Sequence, residues 1–385
     1  MPKLLNPFFR RFFSGVILCL SLSLIRCAPS PEPQQRTNPI EALTTTQSTE
    51  GFAQALKPRR FRFPQDDGPH PEFQTEWWYY TGNLEDAQGR SFGYQLTFFR
   101  RALAPTPSLQ SQDWPTENLY FAHFTVSDID QQRFYPFERW QRGSVGLAGA
   151  QTGPVRIWLD HWHIQELPTG EVSLSAKAEG VELQLRLQAL KPVVLQGDQG
   201  LSQKSAGVGN ASYYYSRTRL GTTGTLQLPG RPAAFFVQGL SWLDREWSTS
   251  VLSREQSGWD WFALHLPNKE ELMIYQLRLK NGEVDAFSAG TFVDAEGKPH
   301  PLTAKDFTLE VTNTWTSPET GIKYPAGWLL KVPKHQLQLK VKPLMNHQEL
   351  SLSFVYWEGA VAILDKQGVP LGKGYVELTG YDQNK

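Results

Sequence analysis

The sequence predicts an all-β protein made of antiparallel strands, and three observations carry that expectation. From Phe61 onward, short alternating apolar runs are broken by Gly, Pro and Asp, the pattern of half-buried strands joined by turns. Stretches with the three- and four-residue apolar spacing of a helix are sparse. Asn281-Gly282 and Glu296-Gly297 sit between apolar runs as turn signals.

In order, the expected strands of the first half are 77–84, 92–100, 120–128, 155–166, 172–179, 181–190 and 222–228. Those of the second half are 272–280, 286–293, 308–314, 327–332, 336–342, 350–356, 360–364 and 374–380. A weak internal repeat supports two similar barrels. The aromatic run 77–80, Gly82, Gly89 and Gly93-Tyr94-Gln95-Leu96-Thr97 are echoed by Tyr356-Trp357, Gly359, Gly368 and Gly374-Tyr375-Val376-Glu377-Leu378-Thr379, with Glu377 out of register. Two unrelated hairpins using glycine and tyrosine alike would give the same echo.

The N-terminus has a different character. Lys3, Arg10 and Arg11 precede the apolar run 12–25, the order of a secretory signal and too short for a comfortable membrane span. The chain's two cysteines are Cys19, inside that run, and Cys27, just after it, so the folded part has no disulfide framework and no thiol chemistry. Residues 28–60 are rich in Pro, Gln, Ser and Thr and read as a flexible tether, able to reach roughly 30 Å.

The 385 residues are 40% hydrophobic and 12% aromatic, a globular composition with room for two cores. Lys+Arg and Asp+Glu are both 38, so no basic surplus is available for a nucleic-acid backbone. Loss of residues 1–26 removes four basic side chains and leaves 34 against 38, a net −4 that exerts no pull on anionic headgroups.

The densest chemistry lies at 239–262, GLSWLDREWSTSVLSREQSGWDWF. At strand spacing Trp242, Asp244 and Glu246 face one way and Leu243, Arg245 and Trp247 the other. The polar run 248–258 reads as a connection, after which Trp259 and Trp261 stand opposite Asp260 and Phe262, and the whole is expected to form a hairpin. A carboxyl against indole rings is kept protonated, and ring faces stabilise a cation such an acid creates. Asp244, Trp247 and Asp260 are therefore the candidate catalytic residues. The structural alternative is that Arg245 and the acids pair among themselves or with backbone and close one end of a barrel.

Glu76, before Trp77, Trp78 and Tyr79, and Glu358, after Trp357, repeat the acid-beside-aromatic theme. Together with Trp242, Glu246, Trp259 and Trp261 they are candidate ligand-lining residues, against the alternative that strand aromatics fill a core. Asp160-His161-Trp162-His163 places two histidines on one strand face without a third ligand at readable spacing, so no metal is expected. His70 and His123 read as hydrogen-bonded structural residues. No Gly-rich phosphate loop, Gly-x-Ser-x-Gly elbow or zinc signature is present, and no cofactor is expected.

Two resemblances add to this reading. Leu24-Ile25-Arg26-Cys27 resembles a bacterial lipobox, with Arg26 where a small residue is usual, and Ala28 resembles the variants sent to the outer membrane. The resemblance implies lipid on Cys27, and the Arg26 departure leaves a plain signal peptide or an uncleaved anchor as alternatives. The stretches FPQDDGPHP (63–71), TEWWYYTGNL (75–84), GYQLTFFR (93–100), SWLDREWS (241–248), GWDWF (258–262), YWEG (356–359) and GYVELTGY (374–381) resemble the AttH-like and hydroxyneurosporene-synthase (carotenoid hydratase) superfamily over about 60–381.

That second resemblance implies two tandem lipocalin-like antiparallel β-barrel domains, expected at 61–235 and 236–385, after a signal peptide at 1–27 and the tether at 28–60. The hydratase branch adds water to isoprenoid double bonds with a histidine, aromatics and an acid. Trp247 and Asp260 match an aromatic and the acid, whereas Arg245 stands where the histidine is expected, which weighs against hydratase activity. The expected function is a lipid-anchored protein on the periplasmic side of the envelope that binds an apolar small molecule or lipid. The alternatives are a hydratase-type enzyme and a structural partner in an envelope protein complex.

Overall fold

The computed structural model describes residues 49–105, 118–249 and 252–382; the export segment, Cys27 and the first part of the tether lie outside them. Among the described residues, thirteen strands form a first antiparallel sheet. They are β1 (Thr75–Asp86), β2 (Ser91–Ala102), β3 (Asn118–Asp128), β4 (Arg133–Arg142), β5 (Ala148–Gln151), β6 (Arg156–Leu159), β7 (Trp162–Glu166), β8 (Val172–Ala178), β9 (Val181–Ala189), β10 (Val194–Leu195), β11 (Leu201–Gln203), β12 (Ala211–Gln227) and β13 (Phe235–Ser248).

Ten strands form a second sheet. They are β14 (Gln256–His265), β15 (Glu271–Leu279), β16 (Ala289–Val293), β17 (Pro299–Thr303), β18 (Thr308–Thr316), β19 (Lys323–Val332), β20 (Leu337–Pro343), β21 (Glu349–Ser351), β22 (Val355–Leu364) and β23 (Pro370–Leu378). The first sheet runs β4-β3-β2-β1-β13-β12-β9-β8-β7-β6-β5, and the second β17-β16-β15-β14-β23-β22-β20-β19-β18. The chain is thus all-β, two lipocalin-like barrels in tandem.

The expected hairpin at 239–262 is not one. β13 pairs with β1 and β12 in the first sheet, while β14 pairs with β15 and β23 in the second, so this stretch is the crossing between sheets. The junction expected near residues 235–239 therefore falls at 249–255, because 235–248 still completes the first sheet. The tether also ends earlier than residue 60. Phe52 and Ala55 are buried, Ala53 N–H donates to the Glu72 carbonyl at 2.9 Å, and the Tyr213 hydroxyl donates to the Lys57 carbonyl at 2.9 Å.

Strand alternation sorts the side chains of the described residues into four clusters, the smallest being Phe121, Leu350, Phe354 and Tyr356. Tyr80, Leu96, Phe98, Phe124, Leu183 and Trp247 fill the first barrel, and Phe262, Leu264, Ile274, Trp328 and Val361 the second. A third cluster, including Tyr79, Tyr214, Trp242, Trp261, Tyr275 and Tyr375, lies where the outer faces of the two sheets meet. Strands enclosed on both faces lose the exposed alternate positions of a half-solvated strand, which explains the near-continuous burial of β1 and of residues 241–248 in β13.

The two echoing segments of the sequence are the β1–β2 and β22–β23 hairpins, and they abut. Asn83 Nδ2 donates to the Gly374 carbonyl at 2.9 Å. A Cβ on Gly93 would lie 2.7 Å from the Ala360 Cβ, so only glycine permits this approach. Away from the hairpins, Lys191 and Arg219 of the first barrel close on Glu271 of β15, which is fully buried.

Inside the first barrel Glu76 on β1 receives Arg100 from β2 and Arg245 from β13, and the His70 N–H donates to both its oxygens at 3.2 and 3.1 Å. The Arg245 guanidinium lies 3.9 Å over the Trp78 ring, and His70 stacks on Trp247 at 3.7 Å. Burial alone would raise the Glu76 carboxyl, but the Arg100 and Arg245 charges and His70 overcome it and hold it far below the usual carboxylate range.

A depressed folded-state pKa gives stability that is present above the unfolded value of 4.5 and is lost as pH falls below it. Glu76→Gln leaves two guanidinium groups buried without their counter-charge. It is expected to cost about 3 to 5 kcal/mol in urea unfolding at neutral pH, with the gap to wild type closing in acid. An unchanged midpoint would show that the network does not hold these strands.

Candidate functional site

The register of the first sheet aligns two cross-strand rows on its outer face. One row is Tyr214, Glu246, Trp77, Phe99, Phe121 and Trp140, running across β12, β13, β1, β2, β3 and β4. The next row on the same face is Ser216, Asp244, Tyr79, Thr97, His123 and Glu138. Directly opposed side chains on one face lie about 5 Å apart, so each row is a continuous strip, the first mostly aromatic and the second polar. The second sheet answers with Tyr275, Trp261, Glu377 and Glu358 in one row and Leu277 beside Trp259 in another.

Between these faces lies a cleft with Trp77, Tyr79, Phe99 and Phe121 on one wall and Trp259, Trp261, Tyr275 and Leu277 on the other. Its cavity volume is about 100 Å³, that of a narrow slot. Phe99 stacks on Phe121 at 4.4 Å and Phe121 on Trp140 at 4.6 Å, carrying the aromatic strip out to an exposed ring.

Polar groups enter this apolar slot at fixed points. Asp244 accepts from the Ser216 hydroxyl at 2.6 Å, from Trp242 Nε1 at 2.6 Å and from the Tyr214 hydroxyl. Burial pushes its carboxyl up to about 6, and the nearby Glu246 charge adds to this, against the pull of those three hydrogen bonds. Glu377 accepts from Trp259 Nε1 at 2.8 Å, and burial with the charges of Asp244 and Glu246 pushes it up to about 8. Glu358 accepts from the Tyr79 hydroxyl at 2.5 Å, and burial with the Glu377 charge raises it well above the ordinary range. Lys204 Nζ lies 3.1 Å from Glu246 Oε1 and over the Tyr214 and Tyr275 rings at 4.9 and 4.3 Å. Burial opposes its charge, and Glu246 outweighs burial and keeps it.

Six of the residues singled out in the sequence line the cleft: Trp77, Tyr79, Asp244, Glu246, Trp259 and Trp261. Trp242 and Glu358 stand behind them, bonded to Asp244 and Tyr79. Five others face away, each one residue out of phase with a lining residue. Glu76, Trp78 and Trp247 point into the first barrel, where Trp247 packs on His70. Asp260 points into the second barrel, paired with Arg278 and accepting from the Tyr381 hydroxyl at 3.0 and 3.1 Å. Trp357 is in that barrel's core, its Nε1 donating to the Asn346 carbonyl at 2.7 Å. Arg245, in the expected place of a histidine, is likewise inside the first barrel.

Sequence reasoning missed Phe99, Phe121, Tyr214, Tyr275, Tyr356, Lys204 and Glu377, and His123, read as a hydrogen-bonded structural residue, is hydrogen-bonded and also borders the cleft. Glu377 did leave a signal, as the charged residue that interrupts the second Gly-Tyr echo. His161 hydrogen-bonds to the Lys177 carbonyl at 3.0 Å, and no group of three His, Cys, Asp or Glu among the described residues is placed to hold a metal ion.

Comparison with known proteins places this architecture. The AttH-like family model matches residues 54–381. A solved Nitrosomonas europaea protein provisionally assigned as AttH superimposes with a TM-score of 0.77 at 34% identity, over 86% of this chain and 100% of its own. Kievitone hydratase from Nectria haematococca shares the fold, with a TM-score of 0.63 at 15% identity over 86% of this chain and 99% of its own. The dehydratase asqC of Emericella nidulans is 26% identical over 118 residues, which span 29% of this chain and 32% of that protein. With the family model covering both barrels and the Nitrosomonas europaea structure matched along its whole length, the chain belongs to the AttH-like family.

Proposed function

We propose that the protein binds a flat, apolar small molecule, of lipid or isoprenoid type, in the cleft between its barrels. The observation that carries this reading is the pair of facing aromatic walls, Trp77, Phe99 and Phe121 against Trp259, Trp261 and Tyr275, around a narrow slot that opens to solvent. Rings fixed on strands lose little freedom on contact, and two facing walls take both sides of a planar guest out of water. The barrel interiors do not compete for this role, because both are filled by their own side chains.

A second reading, addition or removal of water at a double bond of the bound molecule, is supported by Glu377. A carboxyl pushed up to about 8 is protonated at neutral pH and can give its proton to carbon, while the neighbouring indole faces stabilise the resulting cation. The hydratase and dehydratase among the similar proteins point the same way. We further read 1–27 as an export signal that leaves the mature chain lipidated at Cys27 on the periplasmic side of the outer membrane. The basic-then-apolar start and the lone cysteine after it support this.

Three outcomes are expected. In calorimetric titration with 2-naphthol, Trp77→Leu and Trp259→Leu weaken binding by roughly three- to ten-fold, whereas Trp357→Phe leaves it unchanged in folded protein. Absence of saturable binding by the wild type would sink the ligand reading. Glu377 has a folded pKa of about 8 against 4.5 unfolded, so wild-type stability falls as pH rises from 4.5 through 8. Glu377→Gln should remove part of that fall in thermal melts across this window, and parallel profiles would mean that the carboxyl is not held neutral. Mass spectrometry of the mature N-terminus should find a lipid-modified Cys27; an intact Met1 or an unmodified Cys27 thiol would refute the anchor.

A further inference from the structure

The polar row of the first sheet ends in two groups that the ligand reading leaves unused, and a third faces them from the second sheet. Glu138 on β4 and His123 on β3 are paired in register, and His123 Nε2 lies 3.3 Å from Glu138 Oε2. Across the cleft, the Tyr356 hydroxyl of β22 is 2.7 Å from His123 Nδ1. The Ser353 hydroxyl donates to the other Glu138 oxygen at 2.6 Å. Phe99, Phe121 and Phe354 surround the imidazole with ring contacts of 5.4 to 5.8 Å. Both His123 and Tyr356 border the cleft.

The direction of each bond follows from chemistry. Burial would raise the Glu138 carboxyl, yet its hydrogen bonds, that from His123 foremost and that from the Ser353 hydroxyl, outweigh it and hold it below the usual range. An ionised carboxylate only accepts, so His123 Nε2 carries a proton, and in the neutral imidazole Nδ1 is then the acceptor. The Tyr356 hydroxyl therefore donates to Nδ1. It accepts in turn from Gln95 Nε2 at 3.4 Å, and its second lone pair remains for a group in the cleft.

We propose that Tyr356, backed by His123 and Glu138, is a proton acceptor facing the cleft, so that the site can take a proton from a hydroxyl or a water as well as supply one. The inference rests on the reading of the cleft as a ligand site. In the step, the O–H bond of the bound hydroxyl breaks and its proton passes to the Tyr356 oxygen. The original Tyr356 proton moves to His123 Nδ1, and the imidazolium formed is paired with Glu138. Burial raises the phenol far above its ordinary range, so Tyr356 does not rest as a phenolate and gives up its proton only as it receives another. Glu377 lies on the neighbouring strand, diagonal to Tyr356 by way of the Glu358 pair. Proton donor and proton acceptor thus share one wall of the slot. Addition of water to a double bond needs both: a proton to carbon from Glu377, and a proton taken from the attacking water by Tyr356 as the C–O bond forms.

Two measurements on the full chain test this. Nitrogen NMR of the histidines should find His123 protonated at Nε2 and unprotonated at Nδ1, with the Nδ1 signal moving in Tyr356→Phe; a proton on Nδ1 overturns the relay. 4-Nitrophenol, whose anion absorbs in the visible, serves as the bound hydroxyl. Its ionisation midpoint should fall by roughly one pH unit on binding, a shift lost in Tyr356→Phe and His123→Gln and reduced in Glu138→Gln. Binding without that shift defeats the relay and leaves the ligand site standing. So does a shift that survives Tyr356→Phe and vanishes in Lys204→Met, which would assign it to the ammonium. Failure of the phenol to bind defeats the ligand reading and the relay with it.

Discussion

One buried carboxylate fixes the strands on which everything else is mounted. Glu76 draws Arg100 and Arg245 inward from the strands on either side of its own, so β2, β1 and β13 are locked edge to edge at a single level of the first barrel. A guanidinium without a counter-charge could not remain there. Because Arg245 must point inward, Asp244 and Glu246 on either side of it must point outward, and the same alternation turns Trp77 and Phe99 toward the second barrel. The charge that stabilises the interior thereby decides which residues reach the cleft.

The upward shift of the Asp244, Glu358 and Glu377 carboxyls has a different origin. Asp244 and Glu246 belong to the first sheet, Glu358 and Glu377 to the second, and the two pairs are brought together only because the outer faces of both barrels are buried against each other. Inside either barrel the same carboxyls would need counter-ions, as Glu76 and Asp260 have. Between the barrels the surroundings are aromatic rings with a few hydroxyl and indole donors, which are enough to orient a carboxyl without forcing it to ionise. Lys204 is the cation on the wall of the cleft, and Glu246 claims it.

Much of the architecture could be read from the residues. The antiparallel strand class and many of the strands follow from alternation and turn residues, whereas the two echoing Gly-Tyr segments, β1–β2 and β22–β23, touch but hold different places in their sheets, the first barrel's β1–β2 answering to β14–β15. The division of 242–247 into two faces also held, since Leu243 and Trp247 are in the first core and Asp244 and Glu246 in the cleft. What could not be read was pairing partners. The period of two says that Trp77 and Trp78 face opposite ways, but not which way is the barrel interior, so pattern alone ranks Trp78 and Trp357 with the lining residues and Trp247 with the catalytic ones. Asp260 reads as a catalytic acid because Arg278, which neutralises it, is 18 residues away and becomes its neighbour only through the β14–β15 register. His123 and Tyr356 are 233 residues apart, and no local pattern links them.

Core and cleft occupy opposite faces of the same few strands, and this gives the protein an uneven tolerance to genetic change. Point substitutions at every second position of β1, β13 or β14 can reshape the cleft without touching a barrel interior. A single-codon insertion or deletion in those strands exchanges the two sets wholesale, sending Arg245 and Glu76 into the slot and Asp244 and Glu246 into oil. Lineages carrying this fold should therefore diversify at the cleft by replacement alone and confine length variation to the connections, such as the short crossing between β13 and β14.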